Sequence, residues 1–472
     1  MNNKAKMIIK NLYYTVAANF VTLAISVLLN LFVPKLLGVK EYSYWQLYVF
    51  YSSYVGFLHF GWVDGIYLKI GGENYDDLDK RNLGSQYWYL IFMEMIISFC
   101  VVISTVLLVP SSNKKIILLL TAIVSVITIA KTFIQYILQS TNRIKEYAQL
   151  SRSDRYIYIC MIGFYFLLGG RNFYWLIIMD ILSKLIMTLW GMYHIRDMIS
   201  VKLITGKLIF TEILDNINVG SKLMLSNIAS MFIIGSIRFF VERRWTIEVF
   251  GKLSFTLSIS NMFLTFINAV GVVMFPLLRR TDEKKLPSLY ETLRGLFVPL
   301  TYLILVFYGP ARYILSMWLP EYAESLKFMG ILFPIIIYEG RMSLLINTYL
   351  KTLRQEKTIL FVNVLTLAAT LLASLIIIFV MGNLTLAVVL IMCSLAFRCI
   401  VAELLLSRYM KISVWKNEIL ETFITIVFVA GNLYLSLWDS VILYIIIFTI
   451  YIAISWKKIM DNKNKFIYLI KN

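Results

Sequence analysis

The sequence predicts an all-α polytopic membrane protein with about 14 transmembrane helices, and three observations support this fold class. First, 60% of the 472 residues are hydrophobic and only 15% are charged, whereas soluble globular domains carry about 25% charge. Second, apolar windows of about 20 residues, the length that crosses the hydrocarbon core, recur along the chain. Third, Lys and Arg are concentrated in alternate loops, as expected if those loops are cytoplasmic.

The apolar windows define the predicted spans in chain order. The first six are Leu12–Val33, Tyr44–Ile66, Tyr87–Val109, Ile116–Leu138, Tyr156–Leu168 and Phe173–Met192. The next six are Gly220–Phe240, Val249–Phe275, Leu293–Tyr308, Leu326–Leu350, Ile359–Met381 and Leu384–Leu406. A closing hairpin consists of Ile419–Leu437 and Val441–Ile459. An order of six, six and two predicts two pseudo-symmetric six-helix lobes followed by a C-terminal helix pair.

These spans give the predicted domain organisation. We expect an N-terminal lobe over 1–195, a cytoplasmic amphipathic linker over 196–219, a C-terminal lobe over 220–410, and spans 13 and 14 with a basic cytoplasmic tail over 411–472. With the N-terminus inside, the cytoplasmic segments hold about 30 of the 45 Lys and Arg residues, and the opposite loops hold about 10. A missed span would have mixed the two populations, so both termini are predicted to be cytoplasmic.

Charged residues inside the predicted spans are the first candidates for function. A charge at the bilayer centre costs about 3 kcal/mol or more, so such residues usually face a cavity or one another. Two sets, Asp180 with Lys184 and Arg238 with Glu242, are four residues apart and could neutralise each other on one helix face. Glu242 also lies near a helix end, from which its side chain could reach the interface, as could that of Glu403.

The alternative is that both halves supply basic residues to a central, water-filled cavity that attracts an anion. Lys131 and Arg398 have no acidic partner within one helical turn, so their counter-charge must come from another span or from a ligand. The predicted substrate-binding residues are Lys131, Lys184, Arg238, Arg341 and Arg398. The predicted gating or ion-coupling residues are Asp64, Glu94, Asp180, Glu242 and Glu339.

The stretch His59–Tyr75 places one carboxylate, Asp64, near the end of the second span, shortly before Gly71 and Gly72. One interpretation is structural, because a glycine pair is a good helix stop and Asp64 lies only about 8 Å of helix rise from water. The other is a gate. The charge count puts this glycine break on the cytoplasmic face, where Asp64 would pair with a basic residue of the other lobe when the inner mouth closes.

Several signals of other chemistry are missing. The chain has no G-x-x-x-x-G-K-[ST] loop for phosphate binding, so ATP hydrolysis by that chemistry is not expected. Asp76, Asp77 and Asp79 read as a solvated cytoplasmic loop beside basic residues. The two histidines and four cysteines lack metal-type spacing, and the cysteines fall in apolar runs. We therefore expect no cofactor and no metal, and a protein that is not an enzyme.

Three stretches resemble the Wzx-type lipid-linked oligosaccharide flippases of the multidrug/oligosaccharidyl-lipid/polysaccharide (MOP) exporter superfamily. They are HFGWVDGIYLKIGGENYDDL from His59, IIGSIRFFVERRWTIEVFGKLSF from Ile233, and WLPEYAESLKFMGILFPIIIYEGRMSLLINTYLKTLRQEK from Trp318. The resemblance covers nearly the whole chain. It implies two six-helix lobes that work by alternating access in the bacterial plasma (inner) membrane, for capsule, O-antigen or exopolysaccharide synthesis.

The resemblance also implies a substrate, an undecaprenyl-diphosphate-linked oligosaccharide repeat unit that is moved from the inner to the outer leaflet. Asp64, Arg238, Glu339 and Arg341 fall within the matched stretches. Relatives often have an acidic residue immediately before the arginine of span seven, whereas Ile237 stands there in this chain. Membrane lipids are expected partners, together with a polysaccharide polymerase and a chain-length regulator, and nucleic acid is not.

Two other functions remain open at the level of sequence. A cation-coupled drug exporter of the same superfamily would need acidic residues facing its cavity, and the surplus of unpaired basic residues argues against it. A membrane polysaccharide polymerase would need an outer loop with paired carboxylates or arginines, and the short outer loops contain none.

Overall fold

The computed structural model describes residues 25–279 and 283–471, and within these ranges the chain is helical throughout, with connecting turns. The chain divides into two compact units. We call residues 36–228 the N-terminal unit, and residues 229–471 together with the described residues 25–35 the C-terminal unit. Among the described residues, nine helices are long and apolar enough to cross a membrane, and shorter apolar helices accompany them. The all-α, multi-span fold class predicted from the sequence is confirmed.

The N-terminal unit begins with two short helices that are separated by a break. Its helices are α2 (Val39–Ser52), α3 (Trp62–Lys69), α4 (Lys80–Leu108), α5 (Ser112–Ser140), α6 (Ile144–Leu167), α7 (Phe173–His194) and α8 (Arg196–Ile199). The first part of α9 (Lys207–Arg244) completes the unit. A cluster of buried aliphatic and aromatic side chains joins α3, α4, α5 and α7, and several of the buried polar side chains described below lie on the same helices.

The C-terminal unit contains the remainder of α9 and the described part of the first helix, α1 (Ile25–Leu37). Its other helices are α10 (Ile247–Arg279), α11 (Leu286–Val306), α12 (Tyr308–Trp318), α13 (Leu326–Leu332), α14 (Ile335–Arg341), α15 (Asn347–Thr352), α16 (Glu356–Ser374), α17 (Leu384–Met410), α18 (Trp415–Tyr434) and α19 (Leu437–Lys471). Two π-helical segments, Met342–Ile346 and Leu375–Val380, continue α14 and α16.

Most predicted spans coincide with observed helices, but two differ in a way that matters for function. The second span, predicted to be continuous from Tyr44 to Ile66, is broken between α2 and α3. The break contains a short 3-10 turn, and Phe60 and Gly61 both have positive φ angles, of 51° and 84°. The first predicted span lies mostly outside the described residues, of which Ile25 is the first.

Span ten, predicted as one helix from Leu326 to Leu350, is a series of short helical segments. Pro334 follows α13 and has no backbone N–H, so a regular α-helix cannot continue through it without losing a hydrogen bond. The π-helical segment then follows Arg341 directly. Single π-turns inside helices are frequently found at functional sites.

Glycines allow α3 to approach α9 at backbone distance. A Cβ atom on Gly65 would lie 1.9 Å from the carbonyl oxygen of Asn216, and one on Gly61 would lie 2.4 Å from the backbone nitrogen of Ser221. From the other side, a Cβ on Gly220 would lie 1.9 Å from the carbonyl oxygen of Gly61. We call this contact the glycine seam. Only glycine fits these positions, so α3 is held directly against the first half of α9.

Candidate functional site

The N-terminal unit contains two ion pairs on neighbouring helices. Lys131 of α5 donates to Asp154 of α6 with 2.6 Å between Nζ and Oδ2. Lys184 donates to Asp180, one turn earlier on α7, with 2.5 Å between Nζ and Oδ2. Lys131 also interacts electrostatically with Lys184 and with Arg155, so the two pairs belong to one group. We call these five residues the N-terminal charge cluster.

This cluster has more positive than negative charge. Three cationic groups face two carboxylates, and the Arg155 side chain is exposed. Among the described residues, no carboxylate lies within salt-bridge distance of the Arg155 guanidinium. The ammonium of Lys184 is also partly accessible, with 17% of the side chain exposed. A partly accessible site with one surplus positive charge is suited to binding an anion.

An aromatic side chain from α2 holds one of the acidic members, Asp180, in place. The Tyr48 hydroxyl donates to Asp180 Oδ2 at 2.6 Å, which gives this carboxylate a second donor besides Lys184. Trp45 donates through Nε1 to the Tyr158 hydroxyl at 3.1 Å. Because Tyr48, Trp45 and Tyr158 are almost completely buried, they form a rigid wall behind the charges.

Asp64 and Glu94 lie apart from these pairs in the same unit. Asp64 is 5% exposed in the first turn of α3, where its Oδ2 is 3.8 Å from His59 Nε2 and its Oδ1 is 3.5 Å from the Tyr136 hydroxyl. Glu94 is fully buried in α4, and neither of its carboxyl oxygens has a hydrogen-bond partner among the described residues. The predicted closing contact between Asp64 and a basic residue of the other lobe stays a prediction.

In the C-terminal unit, Arg398 connects three helices. Its Nη2 donates to Glu339 Oε1 of α14 at 2.5 Å, and its Nη1 donates to Ser230 Oγ of α9 at 2.6 Å. Arg238, on the same helix as Ser230, donates to Ser254 Oγ of α10 at 2.9 Å. Counter-charge for Arg398 therefore comes from another helix, as it does for Lys131. The predicted local pairing holds for Asp180 with Lys184.

A second group of charges, more deeply buried, lies in the C-terminal unit. Arg341 of α14 donates to Glu421 Oε2 at 2.9 Å and to Glu418 Oε1 at 2.5 Å, and it also pairs with Glu403. Arg294 of α11 donates to the same three glutamates. No side chain of the five is more than 6% exposed. We call these residues the C-terminal charge cluster.

Sequence reasoning predicted Lys131, Lys184 and Arg341 as site residues but missed several of the groups that contact them. The missed residues are Asp154, Arg155, Arg294, Glu418 and Glu421. Arg294 and Glu421 lie inside predicted spans, so their charge was a usable signal. Asp154 and Arg155 precede the predicted fifth span, which began too late because α6 extends back to Ile144. Among the described residues, no group of three or more His, Cys, Asp or Glu side chains forms a metal site.

These features define a class, the polytopic membrane proteins with buried ion pairs in each of two helical units. Among solved structures, the fold is similar to that of a multidrug resistance MATE family transporter of the MOP superfamily in its inward-facing conformation. The TM-score is 0.58 with 15% identity, covering 83% of this chain and 94% of that one. It is equally similar to the lipid II flippase MurJ in an inward closed conformation, with a TM-score of 0.58, 13% identity, and 95% and 100% of the chains covered.

The chain therefore has the all-helical fold of MOP-superfamily transporters, as the sequence resemblance implied. Both of these solved structures are of transporters rather than enzymes. No protein-family model matches the sequence, and no curated protein sequence does so either.

Proposed function

We propose that this protein is a flippase that moves undecaprenyl-diphosphate-linked oligosaccharide repeat units from the inner to the outer leaflet of the bacterial plasma membrane by alternating access. The observation that carries the proposal is the surplus positive charge of the N-terminal charge cluster. A diphosphate is a strong anion, and its hydrogen bonds with Arg and Lys are charge-assisted. The fold similarity to a protein described as a lipid II flippase, over 95% of this chain, supports the same class of substrate.

In this proposal the members of the N-terminal charge cluster have different roles. The exposed Arg155 guanidinium makes the first contact with the diphosphate, because no carboxylate among the described residues forms an ion pair with it. Lys184 follows, because its ammonium is partly accessible and Asp180 keeps the Tyr48 hydroxyl as an alternative donor. Lys131 is more deeply buried against Asp154, so it contributes to the positive electrostatic potential of the site without contacting the diphosphate.

The arginines of the C-terminal unit are proposed to act later in the cycle. Arg238 and Arg398 are held by neutral serine hydroxyls on one side, so each can exchange a serine for a phosphate oxygen at small cost. Arg341 is enclosed by carboxylates and is assigned a different role below. We assign gating to Asp64 and Glu94. We assign ion pairing with basic residues to Asp180, Glu242 and Glu339.

The test replaces Arg155 by Gln in a strain whose own repeat-unit flippase has been deleted. We expect surface polysaccharide to fall about tenfold or more, because a hydrogen bond to a charged group contributes about 1.5–3 kcal/mol. The matched control is Arg171→Gln, an exposed arginine of the same unit that lies outside the cluster. Protein in the membrane is measured by immunoblot in both strains.

Normal surface polymer from Arg155→Gln and Lys184→Gln, with both variants inserted, would contradict the site assignment. Loss of surface polymer from Arg238→Ala or Arg398→Ala is expected as well. In a deletion strain, lipid-linked units should accumulate on the inner leaflet; accumulation of unpolymerised units outside would indicate a polymerase instead.

A small-molecule exporter is the second candidate, because the MATE transporter is as similar in TM-score as the flippase. Drug resistance conferred on a pump-deficient host, together with unchanged surface polymer, would favour it.

A further inference from the structure

We propose that the C-terminal charge cluster is a proton-binding site, with Glu418 as the acid, and that release and uptake of this proton are coupled to the transport cycle. The coupling rests on the proposed function, whereas proton binding itself does not.

The charges of the cluster do not balance. Two guanidinium groups, Arg294 and Arg341, face the carboxyl groups of Glu403, Glu418 and Glu421, and all five side chains are buried. If every carboxyl were ionised, the cluster would hold one uncompensated negative charge away from water. An isolated buried charge is costly, and such groups neutralise by binding a proton. One proton makes the cluster neutral.

Hydrogen-bond geometry selects the carboxyl group that holds the proton. Both oxygens of Glu403 accept from arginine, one from Arg294 and the other from Arg341. Both oxygens of Glu421 do so as well, at 2.8–2.9 Å. Only Glu418 uses a single oxygen: Oε1 accepts from both arginines at 2.5 Å, while Oε2 has no hydrogen-bond partner among the described residues. A proton on Oε2 displaces no existing hydrogen bond.

The neutral groups that interact with the cluster are four phenols and one thiol, contributed by α11, α14, α17 and α19: Tyr290, Tyr302, Tyr338, Cys399 and Tyr451. Lys458 is a cation near the cluster, but its side chain is exposed and makes no ion pair with the three glutamates among the described residues. A metal cation is a poor alternative, since each carboxyl is already bound by guanidinium groups that would repel it. A proton needs only one oxygen.

A cavity provides access for water. It has a volume of about 40 Å³, enough for a few water molecules, and is lined by Arg294 and Glu421 of the cluster. Its other walls include Tyr451, Ser455 and Lys458 of α19, and Lys458 is exposed. Water entering this cavity beside Lys458 would reach Arg294 and Glu421, and Arg294 is hydrogen-bonded to Glu418 as well. The cavity therefore gives a proton a route to the cluster, although Glu418 itself does not line it.

The position of Arg341 links protonation to movement. Arg341 is the last residue of α14, and the π-helical segment Met342–Ile346 begins immediately after it. When Glu418 releases its proton, its carboxylate becomes negatively charged and attracts the guanidinium groups of Arg294 and Arg341 more strongly. The electrostatic force on Arg341 therefore changes. Glu339, two residues earlier on α14, holds Arg398, so a displacement of α14 reaches the Arg398 contacts with Ser230.

The first experiment measures the proton directly in purified protein, by the infrared carbonyl stretch of a protonated carboxylic acid in buffered H₂O and D₂O. We expect a component of this band to be present at neutral pH and absent in Glu418→Gln, and to remain in Glu418→Asp. Glu356→Gln, at an exposed glutamate of the same unit, is the matched control and should leave the band unchanged. If Glu418→Gln does not fold, the alternative measurement is an alkaline titration of the unmodified protein, in which the component of the band should disappear.

The second experiment tests the coupling in proteoliposomes, with a fluorescent lipid-linked oligosaccharide and a pH gradient of either direction. We expect the gradient to change the rate of flipping severalfold in the unmodified protein and to have no effect in Glu418→Gln. A band that is identical in Glu418→Gln overturns proton binding. A Glu418-dependent band with gradient-independent flipping overturns the coupling alone, while a Glu418-dependent band with no flipping at all overturns the proposed function. A requirement for Na⁺ instead of a pH gradient also overturns the coupling.

Discussion

The N-terminal charge cluster is built from lysines, an arginine and aspartates, whereas the C-terminal charge cluster is built from arginines and glutamates. The two clusters also differ in the sign of their net charge and in exposure. The N-terminal charge cluster has three cations for two carboxylates, and Arg155 is exposed. The C-terminal charge cluster has two cations for three carboxylates, and Arg341 and Glu403 are each only 1% exposed. We have proposed that the first binds an external anion and that the second binds a proton. In both proposals the residual charge of the cluster determines the kind of ligand that completes it.

The two charge clusters are also expected to contribute differently to the stability of the fold. A buried network in which each charge has several partners is costly to break, because removal of one member leaves the others uncompensated. In the N-terminal charge cluster each lysine pairs with one carboxylate, and one of these carboxylates, Asp180, also accepts a hydrogen bond from Tyr48. We therefore expect substitutions in the C-terminal charge cluster to affect folding, and those in the N-terminal charge cluster to affect transport.

The largest effect is expected from Arg341→Met, which leaves three buried glutamates with one arginine. Loss of one partner from a buried ionic network costs about 3–5 kcal/mol, so the C-terminal unit should unfold at a clearly lower temperature. Thermal unfolding in detergent measures this, with Arg408→Met, at an exposed arginine on α17, as the control. Equal stability of the two variants would show that the cluster does not depend on its charge balance.

An intermediate effect is expected from Lys131→Met, which leaves Asp154 without its ammonium partner. The expected loss of stability is about 1.5–3 kcal/mol, the contribution of a hydrogen bond to a charged group. Combining it with Asp154→Leu should recover much of this loss, because the second substitution removes the orphaned carboxylate. Additive losses in the double variant would mean that the 2.6 Å contact contributes little.

The smallest effect on stability is expected from Lys184→Gln. Asp180 keeps its hydrogen bond from Tyr48, and the pair is partly exposed, so the loss should be about 1 kcal/mol or less. Surface polysaccharide should nevertheless fall, since the diphosphate loses a contact. If Lys184→Gln is strongly destabilised but still transports, the N-terminal charge cluster serves folding rather than transport, contrary to our proposal.

Much of the fold was predictable from the sequence, because the requirement for about 20 apolar residues per span is a strong constraint. The window Leu384–Leu406, for example, lies inside α17, and the window Tyr87–Val109 lies inside α4 except for its last residue. The break in the second span was not predicted, because its residues are apolar on both sides and hydropathy does not report a positive φ at Phe60 and Gly61.

The candidate site was less predictable, for a reason that Arg341 illustrates. Sequence reasoning identified it as an unusual intramembrane charge, but its partners Glu403, Glu418 and Glu421 are 62 to 80 residues away along the chain. Only tertiary packing brings them together. For Asp180 and Lys184, by contrast, the spacing of four residues on one helix was sufficient to predict the contact.

The glycine seam has a mechanical consequence. Side chains in an ordinary helix contact can change rotamer and so absorb a small displacement, whereas peptide groups at Gly61, Gly65 and Gly220 have no such freedom. A rotation of α3 must therefore be transmitted to the first half of α9 without loss, and the two helices move as one rigid piece. A wedge as small as one methyl group, introduced by Gly65→Ala, would separate them.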